Sequence, residues 1–149
     1  MKQISFLLLM VAFCLGLGSC HDDDRGTEQA AALLDEARTE LNDGHFERAY
    51  NLLDSMRTTY PKAVDVRRAA LLFEDTIHWE EAKVELAAID SIYAFACLDR
   101  EELRSTGIDT LSAQFKQLRD RADSLRYAVD RAYQKVRFFE RKISEAQKP

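Results

Sequence analysis

Three cysteines and three histidines are the side chains of this 149-residue chain best suited to nucleophilic or metal chemistry. The cysteines stand at 14, 20 and 97 and the histidines at 21, 45 and 78. A reactive thiol needs a cation or base beside it to favour the thiolate. Cys97 sits instead in the apolar run Ala94-Phe95-Ala96-Cys97-Leu98 and reads as a small hydrophobe. A zinc centre needs several ligands converging on one point. His45 and His78 have no second His or Cys nearby, and His21 is followed only by Asp22-Asp23-Asp24. The chain carries no nucleophile elbow, phosphate loop, His-Glu-x-x-His pair, Cys-x-x-Cys or dinucleotide loop. The expectation is a protein that is not an enzyme and needs no metal or cofactor. Cys20 is the one residue whose setting points to a covalent role.

That setting begins at the N-terminus. Lys2 precedes an apolar stretch from Ile4 to Leu17, interrupted by Ser5, and Gly18-Ser19 then lead to Cys20. A positive start, a short apolar run and small residues are the layout of a secretory signal. The run is too short to span a bilayer, which takes ~20 residues. Leu17-Gly18-Ser19-Cys20 resembles the lipobox of bacterial lipoproteins. The resemblance implies a signal peptide over 1–19, lipid on the Cys20 thiol, and attachment to a membrane through that lipid. Cys97 is then left alone, so no disulfide framework is expected. The three adjacent like charges at 22–24 repel and cannot bury, so 20–29 is expected to be a flexible acidic tether. This tether resembles that of surface-exposed lipoproteins of Bacteroidetes-type bacteria. In the enterobacterial sorting rule, Asp directly after the cysteine retains a lipoprotein in the inner membrane, and here His21 takes that place. The implied location is the outer membrane of the cell envelope, with the surface-facing leaflet favoured.

Beyond the tether the composition is helical. Proline occurs only at 61 and 149, and glycine only at 16, 18, 26, 44 and 107. Ala, Leu, Glu, Arg and Asp dominate, so an all-α fold is expected. Gly44-His45-Phe46-Glu47-Arg48-Ala49 and Ile77-His78-Trp79-Glu80-Glu81-Ala82 match at a spacing of 33 residues, a period suited to stacked helical hairpins. Gly44 suits a helix-ending turn, and Ala49 allows close helix contact. Pro61 cannot continue a helix and biases Tyr60 out of the α region. Gly44 to Pro61 resembles the second half of a tetratricopeptide repeat, with Phe46 opening helix B, Leu53 and Met56 on its buried face, and Tyr60-Pro61 ending it. Leu33 stands where that family often has Trp, and Glu36 where it is usually apolar. Two tetratricopeptide-like hairpins are thus expected over 30–98. The first helix A covers 27–42, with Leu34, Ala37 and Leu41 inward. The second hairpin has helix A over 64–75, with Ala70 and Phe73 inward. Its helix B covers 79–97, with Ala82, Leu86, Ile89 and Tyr93 inward.

Residues 99–149 read as a long heptad helix. Ile108, Leu111, Phe115, Leu118, Ala122, Leu125, Val129, Ala132, Val136, Phe139 and Ile143 alternate spacings of three and four, a coiled-coil-like a/d seam. Ser105-Thr106-Gly107 mark the junction before it, with Asp99 and Glu102 as a capping pair for a short preceding turn. Such a seam reaches ~57 Å, and a second helix B of 79–97 only ~29 Å. The expectation is a partner-binding seam that the hairpins cannot cover, filled by a protein partner or by a homo-oligomer. The flanking positions include Arg119, Arg121, Arg126, Lys135 and Lys142, with Glu140 the acidic exception. They favour an acidic partner surface, the chain's own front half included. Residues 20–98 hold 8 Lys/Arg and 17 Asp/Glu, and 99–149 hold 12 and 9. No dense aromatic-basic patch suggests nucleic acid.

The functional expectation is a lipid-anchored envelope protein that acts as a helical protein–protein interaction module. The alternative is a structural, oligomerising envelope lipoprotein assembled through its C-terminal coiled coil. Asp54-Ser55-Met56, Asp75-Thr76-Ile77, Asp90-Ser91-Ile92, Asp109-Thr110-Leu111 and Asp123-Ser124-Leu125 share a pattern that resembles the O-glycosylation motif of Bacteroidetes-type envelope proteins. Asp-Ser and Asp-Thr also cap helices, so the pattern has two readings. The loop-like sites, 75–76 and 109–110, are the ones exposed enough to take a glycan. The intact mass of the exported protein separates the two: a glycoprotein runs heavier than its sequence after lipid removal, whereas an unshifted mass leaves only the capping role.

Overall fold

The computed structural model describes residues 20–148, and residues 1–19, expected to be a signal peptide, lie outside them. Four helices make up the described residues: α1 (Cys20–Asn42), α2 (Phe46–Thr59), α3 (Val64–Ser105) and α4 (Ala113–Ala146). No strand accompanies them among the described residues, so the protein is all-α. The chain divides into two compact units at Glu74/Asp75, inside α3, whereas the sequence places its boundary at 98/99.

In the first unit, α1 and α2 are joined through a glycine turn. Gly44 has φ 79°, the left-handed conformation that ends a helix at least cost. The His45 amide donates to the Glu40 carbonyl at 2.8 Å and the Gly44 amide to Leu41 at 2.9 Å, the paired bonds of a Schellman ending. Gly26 near the start of α1 lies beside Tyr60 at the end of α2, so the two helices run antiparallel. Of the residues the helical spacing predicts, Leu34 and Ala37 on α1 and Ala49, Leu53 and Met56 on α2 are buried; Ala30 joins them, and Leu41 is only half-buried. The Tyr60 amide bonds the Met56 carbonyl, Pro61 turns the chain, and Ala63 in the connection and Ala70 in the next helix add buried positions. Arg38 lies over the Phe73 ring, 5.8 Å from its centroid. α1 begins at Cys20, so the stretch expected to be an extended tether is helical. A negative charge near a helix N-terminus, such as that of Asp24, is favoured by the helix macrodipole, and that outweighs the local repulsion.

The second predicted hairpin is absent. α3 runs unbroken through 76–78, where its turn was expected. The repeat itself supplies the reason: Ile77 occupies the place of Gly44. A β-branched residue strongly resists positive φ, and Ile77 is instead fully buried within the helix, at 0% exposure. Asp99 and Glu102, read as a cap, are exposed helical residues, and Asp75-Thr76, read as loop-like, is helical with Asp75 buried. α3 ends only at Gly107, φ 75°, whose amide bonds the Arg104 carbonyl.

Within the second unit, α4 returns along residues 75–105 of α3. Lys135 Nζ donates to Glu85 Oε2 at 2.7 Å and Lys142 Nζ to Asp75 Oδ1 at 2.6 Å, and His78 stacks on Phe139 at 5.2 Å between centroids. As α4 advances, its α3 partner recedes, so the pair is antiparallel. That register sets Val129 level with Ile89, Leu125 with Tyr93, and Ala122 with Ala96. Ala82, Ala96, Ala122 and Ala132 are all buried, which lets the two backbones approach closely. α4 starts at Ala113, later than the seam predicts. Ser112 caps it by accepting from the Phe115 amide at 3.3 Å, and Asp109 Oδ1 accepts from the Leu111 amide at 2.9 Å. Ile108 and Leu111 therefore lie in the connection, where local side-chain bonds compete with helix formation, and Leu111 is 87% exposed.

The glycines give two opposite expectations. Gly44→Ala places a Cβ in the left-handed region and is expected to cost about 1–2 kcal/mol. Gly26→Ala, whose new methyl would meet only Tyr60 Cδ1 at 3.8 Å, is expected to gain about 0.5–1 kcal/mol from helix propensity. Thermal unfolding followed by circular dichroism should show Tm falling for the first and rising for the second. In the other unit, Lys142→Ala leaves the buried Asp75 carboxylate unpaired. With Lys142 about half exposed and screened by solvent, the expected loss is about 1 kcal/mol. A double-mutant cycle with Asp75→Ala should show that the two losses do not add.

Candidate functional site

The loop that ends α2 and the first turns of α3 shape an open groove in the first unit. Its volume is about 440 Å³, and it is lined by Arg57, Val64, Arg67, Arg68 and Leu71. The α3 members recur at i, i+3, i+4 and i+7, so one helix face presents them together. Ala63 and Ala70 take the buried positions of the same segment. That leaves Val64 and Leu71 outward, at 59% and 58% exposure.

Each guanidinium is held differently. Arg57 is paired with Glu74 across the unit, with both side chains about one-quarter exposed. Arg67 Nη1 donates to the Pro61 carbonyl at 2.9 Å, which fixes its direction while using one of five donors. Arg68 approaches Asp65 at 3.7 Å, with both side chains largely in solvent. An exposed pair at that distance contributes little and exchanges readily for another carboxylate. The lining thus combines three guanidiniums with two aliphatic side chains and contains no carboxylate. Such a surface suits a planar anion such as a carboxylate, held in bidentate fashion, beside an aliphatic group. The i, i+3, i+4, i+7 pattern of 64, 67, 68 and 71 was readable in the sequence. Two arginines interrupt its apolar character, so the stronger apolar signal of the segment is the face through Ala70 and Phe73.

Cys20 opens α1, and its thiol is outside the described side chains. Of the heptad seam, Phe115, Leu118, Leu125, Val129, Val136, Phe139 and Ile143 are part-buried along α4. Phe139 of the seam stacks on His78 of α3 in the same chain, and α3 runs unbroken where the sequence predicts a break at 76–78. His45 precedes α2 and pairs with Glu40 at 2.8 Å, whereas His78 lies inside α3 against Phe139, so the two repeat positions do different things. Cys97 is a free, part-buried thiol. The hydrogen bond between Tyr93 and Cys97 holds the Tyr93 hydroxyl above its ordinary pKa, with the Cys97 charge and burial adding to the shift. Among the described residues no three His, Cys, Asp or Glu side chains converge on a point that would hold a metal ion, and no helix is long and apolar enough to cross a membrane.

No family model matches the chain, and no curated protein or solved structure shows significant similarity to it.

Proposed function

We propose that this chain is a lipid-anchored protein of the bacterial outer membrane, whose first unit is a tetratricopeptide-like interaction module that holds an acidic, aliphatic peptide segment of a protein partner. The arginine groove at the start of α3 is the observation that carries the reading. Three guanidiniums around two exposed aliphatic side chains match the chemistry of an Asp- or Glu-rich segment with a Leu, Ile or Val anchor. The Gly44 turn, the Ala49 contact and the Tyr60-Pro61 ending support the tetratricopeptide likeness of the α1–α2 pair. The run ending in Leu17-Gly18-Ser19-Cys20 supports lipid attachment at Cys20.

Titrating a fluorescein-labelled peptide of alternating Glu and Leu into the detergent-solubilised full chain tests the groove. Fluorescence anisotropy should saturate, weaken at least tenfold when Gln replaces every Glu, and weaken at least tenfold in the Arg67→Ala/Arg68→Ala variant. Equal binding of the Gln peptide, or of the variant, would overturn the reading. Arg57 is left intact because its pair with Glu74 contributes to the unit's packing. The anchor is tested separately by mass spectrometry of protein recovered from bacterial membranes. The wild type should start at a diacylated Cys20, and Cys20→Ala should stay unprocessed and unlipidated.

A further inference from the structure

Helix α3 is apolar on two opposite faces within the second unit. One face, through Ala82, Leu86, Ile89, Tyr93 and Ala96, meets α4. About 180° around the helix, at the ~100° per residue of an α-helix, runs a second stripe: Val84, Ala88, Ser91, Phe95 and Leu98, with Ile92 beside it. Val84, Phe95 and Leu98 are 57%, 67% and 64% exposed. A helix with apolar residues on both faces is one that packs on both sides. The ends of this stripe are acidic, with Glu80 and Glu81 before it and Asp99 and Glu102 after it.

α4 carries the complement on its own far face. Tyr127, Arg131, Gln134, Phe138 and Arg141 are exposed, with Tyr127 at 61% and Phe138 at 52%. Their spacing of four, three, four and three is the spacing of 84, 88, 91, 95 and 98. The two stripes have the same length and opposite charge character. Residues 75–105 hold eight carboxylates against three Lys/Arg, and α4 holds nine Lys/Arg against five carboxylates. The pairs Lys135–Glu85 and Lys142–Asp75 already use this complementarity across the seam.

We propose that the α3 outer stripe is covered by a second copy of this chain, through the α4 outer stripe of that copy. Both stripes lie on the outside of one antiparallel helix pair, on opposite sides of it. One copy therefore cannot satisfy its own stripes, and a closed two-fold pair, which joins like stripes, would leave both copies of the other stripe uncovered. The contact is head-to-tail: each docking leaves a free α3 stripe at one end and a free α4 stripe at the other, so assembly is open-ended. Acidic ends on one stripe and Arg131 and Arg141 on the other fix the pairing as α3 to α4, because α3 to α3 would bring carboxylates together. This proposal uses neither the arginine groove nor the lipid, so it stands or falls apart from them.

Sedimentation equilibrium of the full chain in density-matched detergent tests it, with Phe95→Asp disabling one stripe and Phe138→Asp the other. Both side chains are more than half exposed, and circular dichroism checks that each variant keeps its helix content. The wild type should grow past dimer as concentration rises. Each variant alone should stay monomeric over a range at least tenfold higher. An equimolar mixture of the two variants should form a 1:1 dimer and nothing larger, because only one intact stripe of each kind remains. A monomeric wild type would overturn the proposal, leaving the α3 stripe to a basic helix from another protein. Dimers unaffected by Phe138→Asp, or a variant mixture that stays monomeric, would overturn it as well.

Discussion

A helix ends cheaply where the next residue accepts positive φ. Among the described residues only Gly44 and Gly107 adopt it. Nearly everything else depends on where those two glycines fall. The first lets α1 and α2 fold back on each other around buried alanines and Leu53. The second ends α3 far downstream. Between them the sequence repeats its His-aromatic-Glu motif but puts Ile77 where the glycine would be, and the helix passes through. An unbroken α3 is long enough to accompany most of α4, and Lys135, Lys142 and Phe139 of α4 reach Glu85, Asp75 and His78 along it.

The second constraint is electrostatic. Long helix pairs with similar apolar stripes can slide by a heptad at little cost. Here an acidic helix lies against a basic one, and Lys142 reaches Asp75, a buried carboxylate, while Lys135 reaches Glu85. The exposed pair contributes little to stability. A slipped register would separate Asp75 from its cation, and that cost selects one alignment. The first unit handles its charges otherwise: Arg57 is committed to Glu74, whereas Arg67 and Arg68 remain at the surface beside aliphatic neighbours.

Much of this was legible in the residues. Helical composition, the buried face of α2, the Tyr60-Pro61 ending and the α4 stripe from Phe115 to Ile143 follow from periodicity and turn chemistry. Three features did not follow. The neighbours of Ile77 match the first repeat and point to a turn, whereas its own backbone preference continues α3. Ile108 and Leu111 fit the seam's spacing, but Asp109 and Ser112 bond the local backbone and delay the helix. The groove has no clear mark in the sequence, because its arginines belong to a face that looks like ordinary solvated helix until the Pro61 turn brings Arg57 beside it.

Trp79 stands two residues after Ile77 and is the chain's one tryptophan. Its indole Nε1 is buried without a hydrogen-bond partner, and the Lys83 ammonium sits 3.9 Å from the ring centroid. A cation over the ring and a shielded N–H both shift indole emission, and the first depends on the helical spacing of 79 and 83. The protein thus carries an intrinsic optical probe at the place where a second hairpin would have turned, and its fluorescence reports directly on the continuity of α3.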